Sequence, residues 1–210
     1  MNKDQTYVLY TIQRKIIDKI IFPLGDFESK EEIREKAKEY NLDVATKPDS
    51  QEICFIPDNN YIRFIENNNV KLKYGDIVNT KGEVLGKHQG LHRYTIGQRK
   101  GIETASNDKL YVIKLDTANN ALVVGHENEL YSKNLLAKDI NLLLIDKITK
   151  PMKVNAKIRY SAKESSATIY PVENGNVKVE FDEPQRAITS GQAVVFYTDD
   201  AIVIGGGKII

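Results

Sequence analysis

From about Tyr74 to the C-terminus, apolar side chains fall into short runs separated by turn residues, and this punctuation constrains the fold more than any other feature. Residues 76–78 and 83–87 flank Thr80-Lys81-Gly82, and residues 110–115 and 121–124 flank Asp116-Thr117-Ala118-Asn119-Asn120. Each pair reads as a hairpin. Further strands are expected over 153–160, 166–172, 177–181, 193–198 and 201–209, with tight turns at Glu173-Asn174-Gly175-Asn176 and Asp199-Asp200. Several short strands at such close spacing predict a small antiparallel barrel or sandwich at the C-terminal end.

The first sixty residues follow a different rule. Tyr7, Tyr10, Ile16, Ile17, Ile20 and Ile21 recur at roughly helical spacing and predict a helix over 4–21, stopped by Phe22-Pro23-Leu24-Gly25. Ser29-Lys30-Glu31-Glu32 matches a capping box and predicts a helix to about Tyr40, with Asn41 as its stop. Thr46-Lys47-Pro48-Asp49-Ser50 reads as a loop, delivering the chain into Gln51-Glu52-Ile53-Cys54-Phe55-Ile56-Pro57, and a short helix is expected over 59–66. This segment has no sheet of its own, and its apolar faces would bury better against something outside the sequence. The chain therefore reads as three pieces.

Composition narrows the function classes. With 210 residues and 41% hydrophobic content, the chain can bury a substantial core. Thirty Lys+Arg against 29 Asp+Glu exclude a polybasic binder while leaving room for a local basic patch. No run of 18 apolar residues offers a transmembrane helix, and residues 1–20 carry no signal-peptide pattern. A single cysteine forms no internal disulfide, which points to a reducing cytoplasm.

That cysteine, Cys54, has two readings. Between Ile53 and Phe55 it can be a small hydrophobe in a short buried strand. That is the commoner role of a lone cysteine; the sharper reading is a nucleophile or sulfur carrier, which requires nearby cations or a helix N-terminus to lower its thiol pKa. Metal binding is disfavoured: His88 and His92 lie on a glycine-containing segment, and His126 is the one further histidine. No phosphate-binding loop or nucleophile elbow is present, and Gly205-Gly206-Gly207 reads as a strand-end bend. Between Lys87 and Ile102 the cations Lys87, Arg93, Arg99 and Lys100 mix with His88, His92 and Tyr94, with no acidic residue among them. Such a segment suits a nucleic-acid backbone and unstacked bases, or is a solvated loop. In Lys157-Ile158-Arg159-Tyr160-Ser161-Ala162-Lys163, strand alternation would put Lys157, Arg159 and Ser161 on one face. That face could grip phosphates or guard a sheet edge.

Several ordered motifs then carry a family resemblance through the whole chain. Lys3-Asp4-Gln5-Thr6-Tyr7, Phe22-Pro23-Leu24-Gly25, Lys47 through Phe55, Gly86 through Gly90, Tyr94 through Gly101, Lys157 through Tyr160 and Ser190-Gly191-Gln192-Ala193 resemble the bacterial tRNA-specific 2-thiouridylase family (MnmA/TrmU). The resemblance implies an α+β, mostly β chain in three units. Residues 1–60 would be the helical tail of an α/β ATP-binding domain, 61–130 a small central β-rich domain, and 131–210 an antiparallel β-barrel. It implies a cytoplasmic enzyme that exchanges the O2 of a wobble uridine for sulfur, with ATP activating the base and a cysteine persulfide supplying the sulfur. Cys54 matches the persulfide-bearing position. Lys3, Asp4, Gln5, Arg159, Tyr160 and Gln192 match tRNA contacts, with Lys87, Arg93, Arg99 and Lys100 as a tRNA-facing basic loop.

The family's Ser-Gly-Gly-x-Asp-Ser loop and its second, nucleophilic cysteine are absent from this sequence. ATP with magnesium would accordingly act at a site outside this chain, which would be inactive alone. The implied partners are the anticodon region of tRNA and a persulfide sulfur donor protein, without DNA, membrane, bound metal or prosthetic group. The rival reading is a stand-alone RNA-binding barrel module with a structural cysteine.

Overall fold

The computed structural model describes residues 5–47, 53, 55, 56, 58–68, 73–106 and 108–210. Ten strands build two sheets. The first contains β1 (Gly75–Asn79), β2 (Val84–His88), β3 (Tyr111–Asp116) and β4 (Ala121–Gly125). Both expected hairpins form, and β4 then lies parallel to β1, giving the order β2-β1-β4-β3. Ile77, Val112, Leu122 and Val124 are fully buried and form its core.

The second sheet contains β5 (Tyr131–Leu142), β6 (Met152–Lys157), β7 (Ser165–Pro171), β8 (Val177–Arg186), β9 (Ala193–Tyr197) and β10 (Val203–Ile209). It closes into an antiparallel barrel in the order β10-β5-β8-β7-β6-β9, so no strand edge is left unpaired. Alternation fills the interior: Val154 and Ala156 from β6, Ala167 and Ile169 from β7, Val179 and Phe181 from β8. The chain is thus mostly β, with a closed barrel and a small central sheet.

Four local expectations need correction. No strand is expected over 131–142, yet β5 forms there; Asp139 (φ 54) breaks the alternation of its apolar residues. β8 continues past Phe181 to Arg186; Pro184, which has no N–H to donate, falls where the register slips between Ser132 and Asn134 of the partner strand. Gly205–Gly207 lie within β10, paired to β5 on one side and β9 on the other, so they are not a terminal bend. β6 ends at Lys157, and Arg159 through Ala162 turn toward β7, so Lys157, Arg159 and Ser161 do not share a strand face.

The helical expectations fare unevenly. The segment over 4–21 is two short 3-10 helices, Thr6–Thr11 and Arg14–Lys19, in place of one α-helix. Asn141 of β5 explains the break: its Nδ2 donates to the carbonyls of Tyr10 and Ile12, the latter at 2.7 Å. Those carbonyls are thereby lost to a continuing helix, and Ile12 becomes extended. α1 (Lys30–Glu39) forms with Ser29 as its N-cap, the Ser29 hydroxyl accepting from the Glu32 amide at 3.1 Å. The Glu32 carboxylate reaches the amide of Glu28 rather than of Ser29, and Asn41 (φ 52) ends the helix in the left-handed region. α2 (Tyr61–Asn67) starts from Asn60, whose side chain accepts from the Arg63 amide at 2.9 Å.

Candidate functional site

Lys3, Asp4 and Cys54 lie outside the described residues. Around the cysteine, Ile53 and Phe55 are exposed, the Ile56 amide donates to the Ile53 carbonyl at 2.9 Å, and Phe55 packs its ring against Phe64 of α2 at 5.5 Å. Ile53 and Phe55 therefore face outward while Ile56 is buried, and none of these three residues lies in a strand.

Of the remaining tRNA-matched residues, Tyr160 packs against Tyr7. The Tyr7 side chain is buried against Val195 and Tyr197 of the barrel, and its hydroxyl donates to the carbonyl of Ala193 at 2.7 Å. Burial pushes the Tyr7 hydroxyl well above the ordinary phenol range, aided by Tyr10 and Tyr197 and opposed by Arg159. Tyr7 is thus a neutral donor that fixes the N-terminal segment to the barrel. Tyr160, 41% exposed, meets its ring edge-on at 6.2 Å, while Gln5 and Gln192 are exposed nearby in sequence. The Gln192 backbone is held by Thr189 and Ile209, leaving its side chain outward.

Arg159 is engaged differently. Its Nη2 donates to the carbonyls of Arg186 at 2.6 Å and Ala187 at 3.4 Å, both at the end of β8. Ala187 is buried with φ 54, a left-handed conformation that a non-glycine residue keeps only under external restraint. Three bonds supply that restraint: the Ala187 amide donates to the Leu130 carbonyl, and the Ala187 carbonyl accepts from the Thr189 hydroxyl as well as from Arg159.

The basic loop divides in two. Lys87 is paired with Asp76 of β1 at 2.5 Å. Arg93 donates to one oxygen of Glu66 from Nη2 at 2.6 Å and from Nε at 3.0 Å, and His92 Nε2 reaches the same oxygen at 3.2 Å. His92 and Arg93 hold the Glu66 carboxyl below its ordinary value. Arg99 and Lys100 are exposed and have no carboxylate partner among the described residues. Arg99 also lines an open cleft of about 260 Å³ with Ile102, Thr104, Ser106, Asp108 and Lys109.

His88 is structural. It is fully buried, its Nδ1 accepts from the Gly90 amide at 3.0 Å, and that fixes Nε2–H as the donor to the Asn120 carbonyl at 3.0 Å. Among the described residues no group of His, Cys, Asp or Glu side chains could hold a metal ion, and no helix is long and apolar enough to cross a membrane. A nucleotide phosphate finds no seat in the triple glycine: its strand is paired on both sides, and the ring of Tyr10 covers Gly206 so closely that an added Cβ would lie 2.9 Å from it.

The sequence reading missed Arg186, Tyr111 and the acids Asp76 and Glu66. The available signal for Arg186 was the strand continuing past Pro184. For the two acids no local signal existed, because each comes from a different stretch of chain.

Three family models match in succession: a tRNA methyl transferase HUP domain over residues 1–58, a tRNA methyl transferase PRC-barrel domain over 63–126, and an aminomethyltransferase beta-barrel domain over 132–209. The chain is 56% identical over 208 residues to the tRNA-specific 2-thiouridylase MnmA of Acetivibrio thermocellus, which covers 99% of this chain and 57% of that protein. It is 50% identical over 210 residues to the MnmA of Halothermothrix orenii, covering 100% and 58%. It is 51% identical over 208 residues to the MnmA of Clostridium perfringens, covering 99% and 57%. The chain thus spans less than two thirds of the length of these curated relatives.

Proposed function

Because the chain belongs to the tRNA-specific 2-thiouridylase family, we propose that it is the persulfide-carrying and tRNA-gripping part of an enzyme that thiolates the wobble uridine of tRNA. The single observation that carries this is 50–56% identity to 2-thiouridylases along essentially its whole length. Residues 1–60, 61–130 and 131–210 divide the work as sulfur-bearing segment, central domain and barrel.

Cys54 receives a sulfur from a donor protein and holds it as a persulfide. The terminal sulfur attacks C2 of the activated uridine, and the activated oxygen leaves with its electron pair. A second thiol then attacks the Cys54 sulfur; the S–S bond breaks, sulfur stays on the base, and the two thiols end as a disulfide. Cys54 is the one cysteine in this sequence, so that second thiol comes from outside it. ATP with magnesium would act at a site outside this sequence, and the chain would be inactive alone.

Its own residues bind and orient the RNA. Lys3, Asp4 and Gln5 join Arg159, Tyr160 and Gln192 in one contact surface, supported by the convergence of Tyr160, Ala193 and the N-terminal segment on Tyr7. The exposed Tyr160 ring offers a stacking face to an unpaired base. In the basic loop Arg99 and Lys100 carry more of the phosphate attraction than Lys87 and Arg93, whose charges are already met by Asp76 and Glu66.

Intact-protein mass spectrometry after incubation with a small-molecule persulfide donor tests the carrier role. Gain of one sulfur, removed by reductant and absent from Cys54→Ser, is the expected result. A wild-type thiol that alkylates readily and never takes sulfur would favour an RNA-binding module with a structural cysteine.

A further inference from the structure

Arg186 ends β8 on the barrel, yet its guanidinium lies 5.8 Å from the ring centroid of Tyr111 on β3 of the central sheet. The turn at Gly97 (φ +86) sits beside it: a Cβ added there would be 3.5 Å from Arg186 Nη1 and 3.2 Å from the Ala187 side chain. The arginine therefore occupies the seam between the two sheets, above a stretch of backbone that carries no side chain.

Arg186 is partly buried and has no carboxylate partner among the described residues, whereas the partly buried Arg93 is met by Glu66. Arg159, also partly buried, points its Nη2 at the carbonyls of Arg186 and Ala187 and has no carboxylate partner among the described residues. Withdrawing cations from water without an anion is unfavourable, so two partly buried arginines, one bonded to the backbone of the other, favour a negatively charged ligand. Stacking on Tyr111 holds the Arg186 fork in position while leaving N–H edges to bind, and that fork matches two oxygens of one phosphate. Arg99 and Lys100, two and three residues beyond Gly97 in the sequence, are two further exposed cations.

We propose that Arg186 and Arg159, beside the Gly97 turn, form a seat for an RNA phosphodiester that bridges the central sheet and the barrel. This rests on the RNA-binding reading above and adds Arg186 to it. One phosphate held at the seam would also fix the two sheets relative to each other as the RNA binds.

The test is binding of bulk tRNA to the full chain as a function of salt, for wild type, Arg186→Gln, Arg186→Lys and the control Lys153→Gln, whose lysine is paired with Asp182 on the barrel surface. The slope of log K against log salt should become shallower by about 1 in Arg186→Gln. It should keep its wild-type value in Arg186→Lys and in the control. Thermal melting of each variant checks that the fold is intact. An unchanged slope in Arg186→Gln overturns the seat while leaving RNA binding standing. Equal loss in the Gln and Lys variants also overturns it, because seam packing and not charge would then be responsible. Wild-type binding that is absent or insensitive to salt overturns both this inference and the reading beneath it.

Discussion

Ile169 in the barrel is wholly buried, while Ile21 in the N-terminal segment is 84% exposed; Phe181 and Phe196 are buried, while Phe22 and Phe55 face outward. The same residue types thus meet opposite fates in two parts of one chain. Six strands that close on themselves satisfy their backbone and enclose their inward apolar side chains without help. Short helices cannot do this, since each covers only a stripe and needs another layer against it. The N-terminal segment is instead attached through particular side chains: Tyr7 on Ala193, Tyr10 on Gly206, and Asn141 on the carbonyls of Tyr10 and Ile12. It is fastened to the barrel by hydrogen bonds and two aromatic rings, not by a core of its own.

The largest expected effect that would break this comparison is a pair of truncations. Phe196→Ala, in the barrel core, should cost about 3–5 kcal/mol in denaturant unfolding. Phe22→Ala should change the same quantity by no more than about 0.5 kcal/mol. Similar losses from both would mean that the N-terminal segment shares the barrel's cooperative unit.

How far this division could be read from the sequence depends on where the determining partner sits. The two central hairpins were legible because Thr80-Lys81-Gly82 and Asp116 to Asn120 carry their turn chemistry locally. α1 was legible because Ser29 and Glu32 cap it from within. β5 was not, because one left-handed residue, Asp139, resets its alternation. The broken first helix was not, because Asn141, more than a hundred residues away, takes its carbonyls. The candidate site divides along the same line. The cations between Lys87 and Lys100 were visible, but their neutralisation by Asp76 and Glu66 depends on tertiary structure. So does the bond from Arg159 to the Arg186 carbonyl.

A smaller effect sharpens the boundary at α2, which is tied to the central sheet through Glu66. Its carboxyl is lowered by the hydrogen bonds from His92 and Arg93, so its stabilising contribution is present above the unfolded glutamate value of about 4.3. That contribution is lost as pH falls through the still lower folded value. Asp182, Glu129 and Asp116 are lowered too and act in the same direction, so the informative quantity is the difference from Glu66→Gln. The melting temperature of wild type should fall more steeply below pH 4.3 than that of the variant. Parallel curves would show that the Glu66 cluster does not couple α2 to the sheet.

The most direct test of the central claim is hydrogen exchange on the wild type and on Tyr7→Phe. Amides of β5 to β10 should exchange only through global unfolding, while those of residues 6–47 should open locally at a much smaller free energy. Tyr7→Phe should lower protection of residues 6–19 by a further increment of about 1 kcal/mol and leave the barrel unchanged. Uniform protection from residue 6 through the barrel, insensitive to the Tyr7 hydroxyl, would contradict an N-terminal segment fastened by a few side chains to a self-sufficient barrel.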